Sequence, residues 1–192
     1  MRLTCTVVLL AVTANVFADG AWLTCTNTGA QVWNPAPQPG ENVRWEGAVK
    51  DGKANGPGTA FWSLNDTTTE RVRGDWKDGK VEGYAVWVHP AGDVYEGQWT
   101  ASARNGYGVY TWKEGRRFLG LYENNTRGVG RMFGPDGRPL VMIPTSAERE
   151  AMFAAQDAAI AARKSAARAE LVKQLEPPAT EIAAKDKDPA DK

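Results

Sequence analysis

Four glycines, Gly47, Gly74, Gly97 and Gly120, recur at intervals of 27, 23 and 23 residues, and the positions around each obey one grammar. A period of this length marks a stack of supersecondary units, each unable to bury its apolar face alone. Two residues before each glycine stands Trp45, Val72, Tyr95 or Phe118, and two after it Val49, Trp76, Trp99 or Tyr122. A glycine pair or its variant follows: Gly56/Gly58, Gly83/Ala85, Gly106/Gly108 and Gly128/Gly130. Spacing of two places residues on one face of a strand. Turn dipeptides such as Asp51-Gly52 and Asp78-Gly79 divide the units internally, while "HPAG" and "GPDG" set proline second and glycine fourth, as a type I turn prefers. Each unit therefore predicts a β-hairpin of two short strands, over residues 44–62, 71–93, 94–115 and 117–137. The longer first interval contains "SLNDTTTE", which reads as a loop.

Glycine inside a strand costs roughly 1 kcal/mol, so its recurrence needs a compensating gain. Tyr95, Gly97 and Trp99 share one face of the first strand of the third unit, and Gly106, Gly108, Tyr110 and Trp112 one face of the second. Rings laid over bare glycine backbone bury area worth about 2 kcal/mol per aromatic side chain. Both glycines of each pair are thus expected to be sockets, with rings supplied by stacking neighbours. The resulting face holds the candidate binding aromatics: Trp45, Trp76, Trp87, Tyr95, Trp99, Tyr110, Trp112, Phe118 and Tyr122, with Trp62 beside them.

"YEGQW" at 95–99 with "NGYGVYTW" at 105–112 resembles the membrane occupation and recognition nexus (MORN) repeat. The second unit departs from its pattern at Val72, Arg73 and Ala85, and the fourth is one residue shorter between its glycines, 8 instead of 9. The lead-in "VWNPAPQPGENVRWEG" is similar to that of secreted bacterial members, where cysteines often flank this region; none lies between Gly29 and Gly52 here. The resemblance spans roughly residues 30–137. It implies a mainly β fold, an elongated, curved single antiparallel sheet of stacked hairpins, and no chemistry of its own.

Outside the repeats, residues 1–18 have a basic start at Arg2, an apolar stretch and the small-residue punctuation "VFA", the layout of a secretory signal peptide. The mature chain is expected to begin near Asp19, in the periplasm or outside the cell. Cys5 then leaves, and Cys25 stays either buried and inert or available to an intermolecular disulfide. Residues 19–43 form a cap segment. After Pro144 alanine dominates; Thr145 and Glu148 stand at capping-box spacing, so one helix is predicted over 145–176, followed by a disordered charged tail over 177–192. Phe153, Ile160, Ala167, Leu171 and Leu175 form the stripe expected to pack on the sheet, with self-association or a partner groove as the alternatives.

No reactive constellation emerges. His89 is the only histidine and sits in a turn; no nucleophile elbow surrounds a serine, and no cluster of ligands suits a metal. Glu46, Glu96 and Asp75 flank repeat glycines on the parity facing away from the rings, where solvation explains them. Charge is even: residues 41–143 carry 14 Lys+Arg against 13 Asp+Glu, and residues 144–192 carry 8 against 9. That balance disfavours nucleic acid and limits membrane contact to the periphery. The expectation is an exported, non-enzymatic scaffold, without cofactor or metal, that binds another protein in the cell envelope. Carbohydrate binding through the aromatic face is the alternative if some rings stay open, and peripheral lipid binding is the third.

Overall fold

The computed structural model describes residues 20–141 and 143–175. The signal peptide and the charged tail expected from the sequence lie outside the described residues. Ten strands follow one another: β1 (Ala21–Thr24), β2 (Gln31–Asn34), β3 (Glu41–Lys50), β4 (Lys53–Leu64), β5 (Thr67–Lys77), β6 (Lys80–Val88), β7 (Val94–Thr100), β8 (Ala103–Thr111), β9 (Arg117–Glu123) and β10 (Thr126–Phe133). From β3 to β10 each strand pairs antiparallel with the next, so the four hairpins form one open sheet. The β1–β2 hairpin joins it by a parallel bridge, Gln31 to Lys53, the one departure from an all-antiparallel sheet among these strands.

Within hairpins the chain reverses through two residues of positive φ: Asp51/Gly52, Asp78/Gly79, Ala101/Ser102 and Asn124/Asn125. Such pairs match the right-handed twist of the flanking strands. Successive turns are tied together, since the amides of Gly79, Ser102 and Asn125 donate to the carbonyls of Ala54, Val81 and Arg104 at 2.8, 3.0 and 2.9 Å. The segment expected to be a loop, "SLNDTTTE", instead prolongs β4 and β5 around a turn at Asn65 and Asp66, both of positive φ. Its threonines are β-branched and fit a strand, which the polar composition concealed.

One register line crosses the whole sheet: Gly47, Gly58, Gly74, Ala85, Gly97, Gly108, Gly120 and Gly130 are successive partners. The adjacent line on the same face runs Trp45, Ala60, Val72, Trp87, Tyr95, Tyr110, Phe118 and Met132. Trp45 lies over Gly47 and Gly58, Tyr95 over Gly97 and Gly108, and Phe118 over Gly120 and Gly130. Each seat is therefore built inside one hairpin. This corrects the expectation that a neighbour supplies the ring.

Neighbouring units couple edge to face instead, Trp76 against Trp45 and Tyr122 against Tyr95, both with centroids 5.1 Å apart. A second correction concerns the first glycine of each pair. Gly56, Gly83 and Gly106 have φ of 76, 92 and 97° and seat no ring. Gly56 and Gly106 lie inside the register shifts of β3–β4 and β7–β8 respectively, where a bulge needs a left-handed residue.

The helix α1 (Ser146–Leu175) crosses the opposite face. Its start is the expected capping box: the Glu148 amide donates to Thr145 Oγ1 at 3.1 Å, and the Thr145 amide to Glu148 Oε2 at 2.7 Å. At about 1.5 Å per residue, its 30 residues reach roughly 45 Å, enough to cross eight strands about 4.8 Å apart; it touches every strand from β3 to β10. The buried stripe is Ala151, Ala155, Ala158, Ala159, Ala162, Ser165 and Ala169, against Val109 and Leu119. The large-residue stripe points away instead: Phe153, Ile160 and Leu171 are 58, 49 and 58 % exposed. Small residues let the helix lie close to strands whose back face already carries bulk and long charged side chains.

Candidate functional site

Of the nine candidate aromatics, Trp45, Tyr95 and Phe118 are buried in their glycine seats and Trp76, Trp99 and Tyr122 are buried against neighbouring rings. Trp87, Tyr110 and Trp112 are half-buried and form a file on that face, with centroids 6.1 Å apart for Trp87–Tyr110 and 4.7 Å for Tyr110–Trp112. The Tyr110 hydroxyl donates to Asp93 Oδ2 at 2.7 Å. Burial, and then the Asp93 carboxylate, push that phenol up to about 12.

Beside the file lies a hollow of about 340 Å³ lined by Trp33, Trp62, Val72, Val81, Trp87, Trp99 and Tyr110, with Glu41, Glu70, Ser102, Arg104 and Asn125 among its polar groups. Its origin can be read from the register. Val72 stands where Trp45, Tyr95 and Phe118 stand in the other units, and no ring covers Gly74 and its partner Ala85. Ala85, wholly buried, fills part of the vacant seat with its methyl group. Trp99, lacking a Val72 ring to meet edge-on, packs against Tyr95 at 5.3 Å and donates from Nε1 to the Ala85 carbonyl at 3.2 Å. What remains of the missing ring's space is the hollow.

The cap segment forms one rim. Asn34 Nδ2 donates to Glu41 Oε2 at 2.7 Å and the Gln38 amide to the same oxygen at 3.4 Å. Burial is the largest influence on the Glu41 carboxyl and raises it; the Gln38 and Asn34 hydrogen bonds oppose this, and the nearby Glu70 charge adds to it. Trp87 Nε1 donates to Glu70 Oε2 at 2.8 Å, which fixes the indole plane at the opening. On the other side the Arg104 guanidinium lies 5.5 Å from the Tyr110 ring centre, and its Nε donates to Asn125 Oδ1 at 3.3 Å. Trp62, only 6 % exposed, lines the hollow with its ring, while its Nε1 is buried out of reach of solvent.

Sequence reasoning singled out Trp87 and Tyr110 but missed Trp33, Glu41, Glu70 and Arg104, which the fold gathers from distant hairpins. The one available signal was the break in the pattern at Val72. Cys25 is buried in the same aromatic core, and burial pushes its thiol up to about 11, so it is an inert core residue. Among the described residues no cluster of three metal-ligating side chains occurs, and no helix is long and apolar enough to cross a membrane.

Back-face carboxylates are engaged with α1, a correction to the expectation that solvent explains them. Arg163 donates from Nε and a terminal nitrogen to the two oxygens of Glu96 at 2.6 and 2.7 Å. Lys173 meets Glu46 at 3.0 Å, Glu170 meets Arg73 at 3.0 Å, and Arg168 meets Asp75.

Rings seated on glycine lines through successive hairpins define a β-hairpin repeat protein with one face closed by its own helix. The chain carries MORN repeats: the family model of the MORN repeat matches residues 45–63, 73–94 and 95–115. The fourth hairpin lies beyond the matched segments yet keeps the same glycine line and the same seat under Phe118. No curated protein matches the chain. MORN repeats generally serve binding to proteins or membranes and do not define an enzyme family.

Proposed function

We propose that this chain is an exported, non-enzymatic binding protein that holds a partner of the cell envelope against the aromatic face of its sheet. The observation that carries this reading is the division of labour between the faces. The back is closed by α1 through its alanine stripe and four cross-element ion pairs, whereas the front keeps three half-open rings and a polar-rimmed hollow. Export rests on the layout of residues 1–18.

A benzophenone amino acid at Gln38, exposed on the hollow's rim, is expected to crosslink to an envelope component in intact cells, and the same group at Phe153 on the outer helix is not. Crosslinking from Phe153 alone would overturn the assignment of the working face. Mass spectrometry of the mature chain is expected to find Asp19 at its start; a retained Met1 would remove export.

A further inference from the structure

We infer that the hollow left by the missing ring of the second repeat is a binding site for a neutral sugar ring within an oligosaccharide. This rests on the reading of the aromatic face as the working one and names its ligand class. At about 340 Å³ the hollow is at the small end of ligand sites, which run from roughly 300 to 1,000 Å³. A pyranose has one face of C–H groups and a rim of hydroxyls that both donate and accept. The hollow mirrors that division. Trp87 and Tyr110 offer partly open aromatic planes, and the Trp87 plane is fixed by its bond to Glu70.

Around the planes stand carboxylate acceptors on Glu41 and Glu70, the donor guanidinium of Arg104, and the amide and hydroxyl of Asn125 and Ser102. The charges select further. Two carboxylates disfavour an anion such as phosphate, and the Arg104 guanidinium on the other side of the hollow disfavours a cation, whereas an uncharged polyol satisfies both signs. The site is also built: Val72, Val81 and Trp99, all buried strand residues, line it beneath the rim that the cap segment supplies.

The test uses the full mature chain and intrinsic tryptophan fluorescence titrated with cellotriose, maltotriose and the trisaccharide of N-acetylglucosamine, with inorganic phosphate and choline as charged comparators. Saturable binding of at least one trisaccharide is expected, with none of phosphate or choline. The double substitution Val72→Tyr/Ala85→Gly, which rebuilds the seat found in the third repeat, should weaken binding at least tenfold while leaving the melting temperature unchanged or higher. Trp87→Ala, at a half-buried position, should weaken it similarly and serves if the double variant fails to fold.

No binding of any of the three sugars, undiminished binding by either folded variant, or binding of choline or phosphate in their place would each overturn the inference. If the sugars fail while Gln38 still crosslinks to an envelope component, the ligand class is wrong and the working face stands. If Gln38 gives no product in cells while Phe153 does, the working face itself is wrong.

Discussion

At Gly108 a Cβ would sit 2.5 Å from Cζ and 2.6 Å from Cε2 of Tyr95, a ring held by its own hydroxyl's 3.0 Å bond to the Gln98 carbonyl. The ring has no room to retreat. Gly108→Ala is therefore expected to destabilise the protein by about 3 kcal/mol, at the upper end of overpacking costs. By contrast Gly128, whose nearest foreign atom to such a Cβ is 3.5 Å away, should accept alanine with under about 1 kcal/mol of change. Urea denaturation of both variants measures the difference, and equal losses would mean that the seats do not hold the sheet together. Ala101 poses the opposite case, since its φ of 51° places an ordinary residue in the left-handed region. Ala101→Asn should stabilise by up to about 1 kcal/mol, because asparagine suits the first position of this turn and alanine does not. A rise in melting temperature checks it.

For the helix, the two stripes make different demands. Ala162 is fully buried, and a leucine there would push α1 off the strands at a cost of about 1–3 kcal/mol. Phe153→Ala, on the exposed side, should cost less than about 0.5 kcal/mol; equal penalties by denaturation would mean that the stripes were misassigned. The ion pairs contribute less per pair, since Arg163 and Arg168 are more than half exposed and such pairs contribute about 0–1 kcal/mol.

Glu46 gives the helix a pH dependence. Burial tends to raise its carboxyl, but hydrogen bonds from Lys173 and Arg44 outweigh that and hold it below the ordinary value of about 4.5. A carboxylate depressed on folding adds stability that is fully present above its unfolded value and is lost as pH falls through the folded one. Acidification below about pH 4.5 is thus expected to loosen the C-terminal half of α1, read as amide protection factors at residues 166–174 that fall on acidification toward the lower values Glu46→Gln already shows at neutral pH. The start of this helix was legible because a capping box is local, whereas its packed side was not. Sequence weighs Phe153 and Ile160 by hydrophobicity, while the sheet selects by size. The acidic residues beside the repeat glycines were likewise placed on the correct face, but their partners lie 67 to 127 residues away, beyond any pattern of spacing.

In the whole molecule, the hairpins were readable because each repeats the same two-residue alternation, and the hollow was not, because it is an absence. Val72 becomes informative only once Trp45, Tyr95 and Phe118 are seen in their seats and the cap segment is seen to wall the gap they leave. The same comparison bears on cooperativity. In a stack of repeats, stability is a sum of unit terms and nearest-neighbour terms, so a weak junction can let one part open before another. The second unit has such a junction, lacking its ring, and no edge-to-face contact joins Val72 to Trp99.

The helix bypasses that weakness, since one rigid element touches every strand from β3 to β10 and bonds to strands on both sides of the vacant seat, Glu96 on β7 and Asp75 and Glu46 on β5 and β3. Intact protein should therefore unfold in a single transition, with calorimetric and van't Hoff enthalpies equal. Removing residues 146–192 should lower the melting temperature and split the transition, the calorimetric enthalpy then exceeding the van't Hoff value. Restoring the ring by Val72→Tyr/Ala85→Gly in the shortened chain should merge the two phases again. A truncated chain that still melts in one step would show that the turn-to-turn hydrogen bonds and the continuous glycine line couple the hairpins without help from α1.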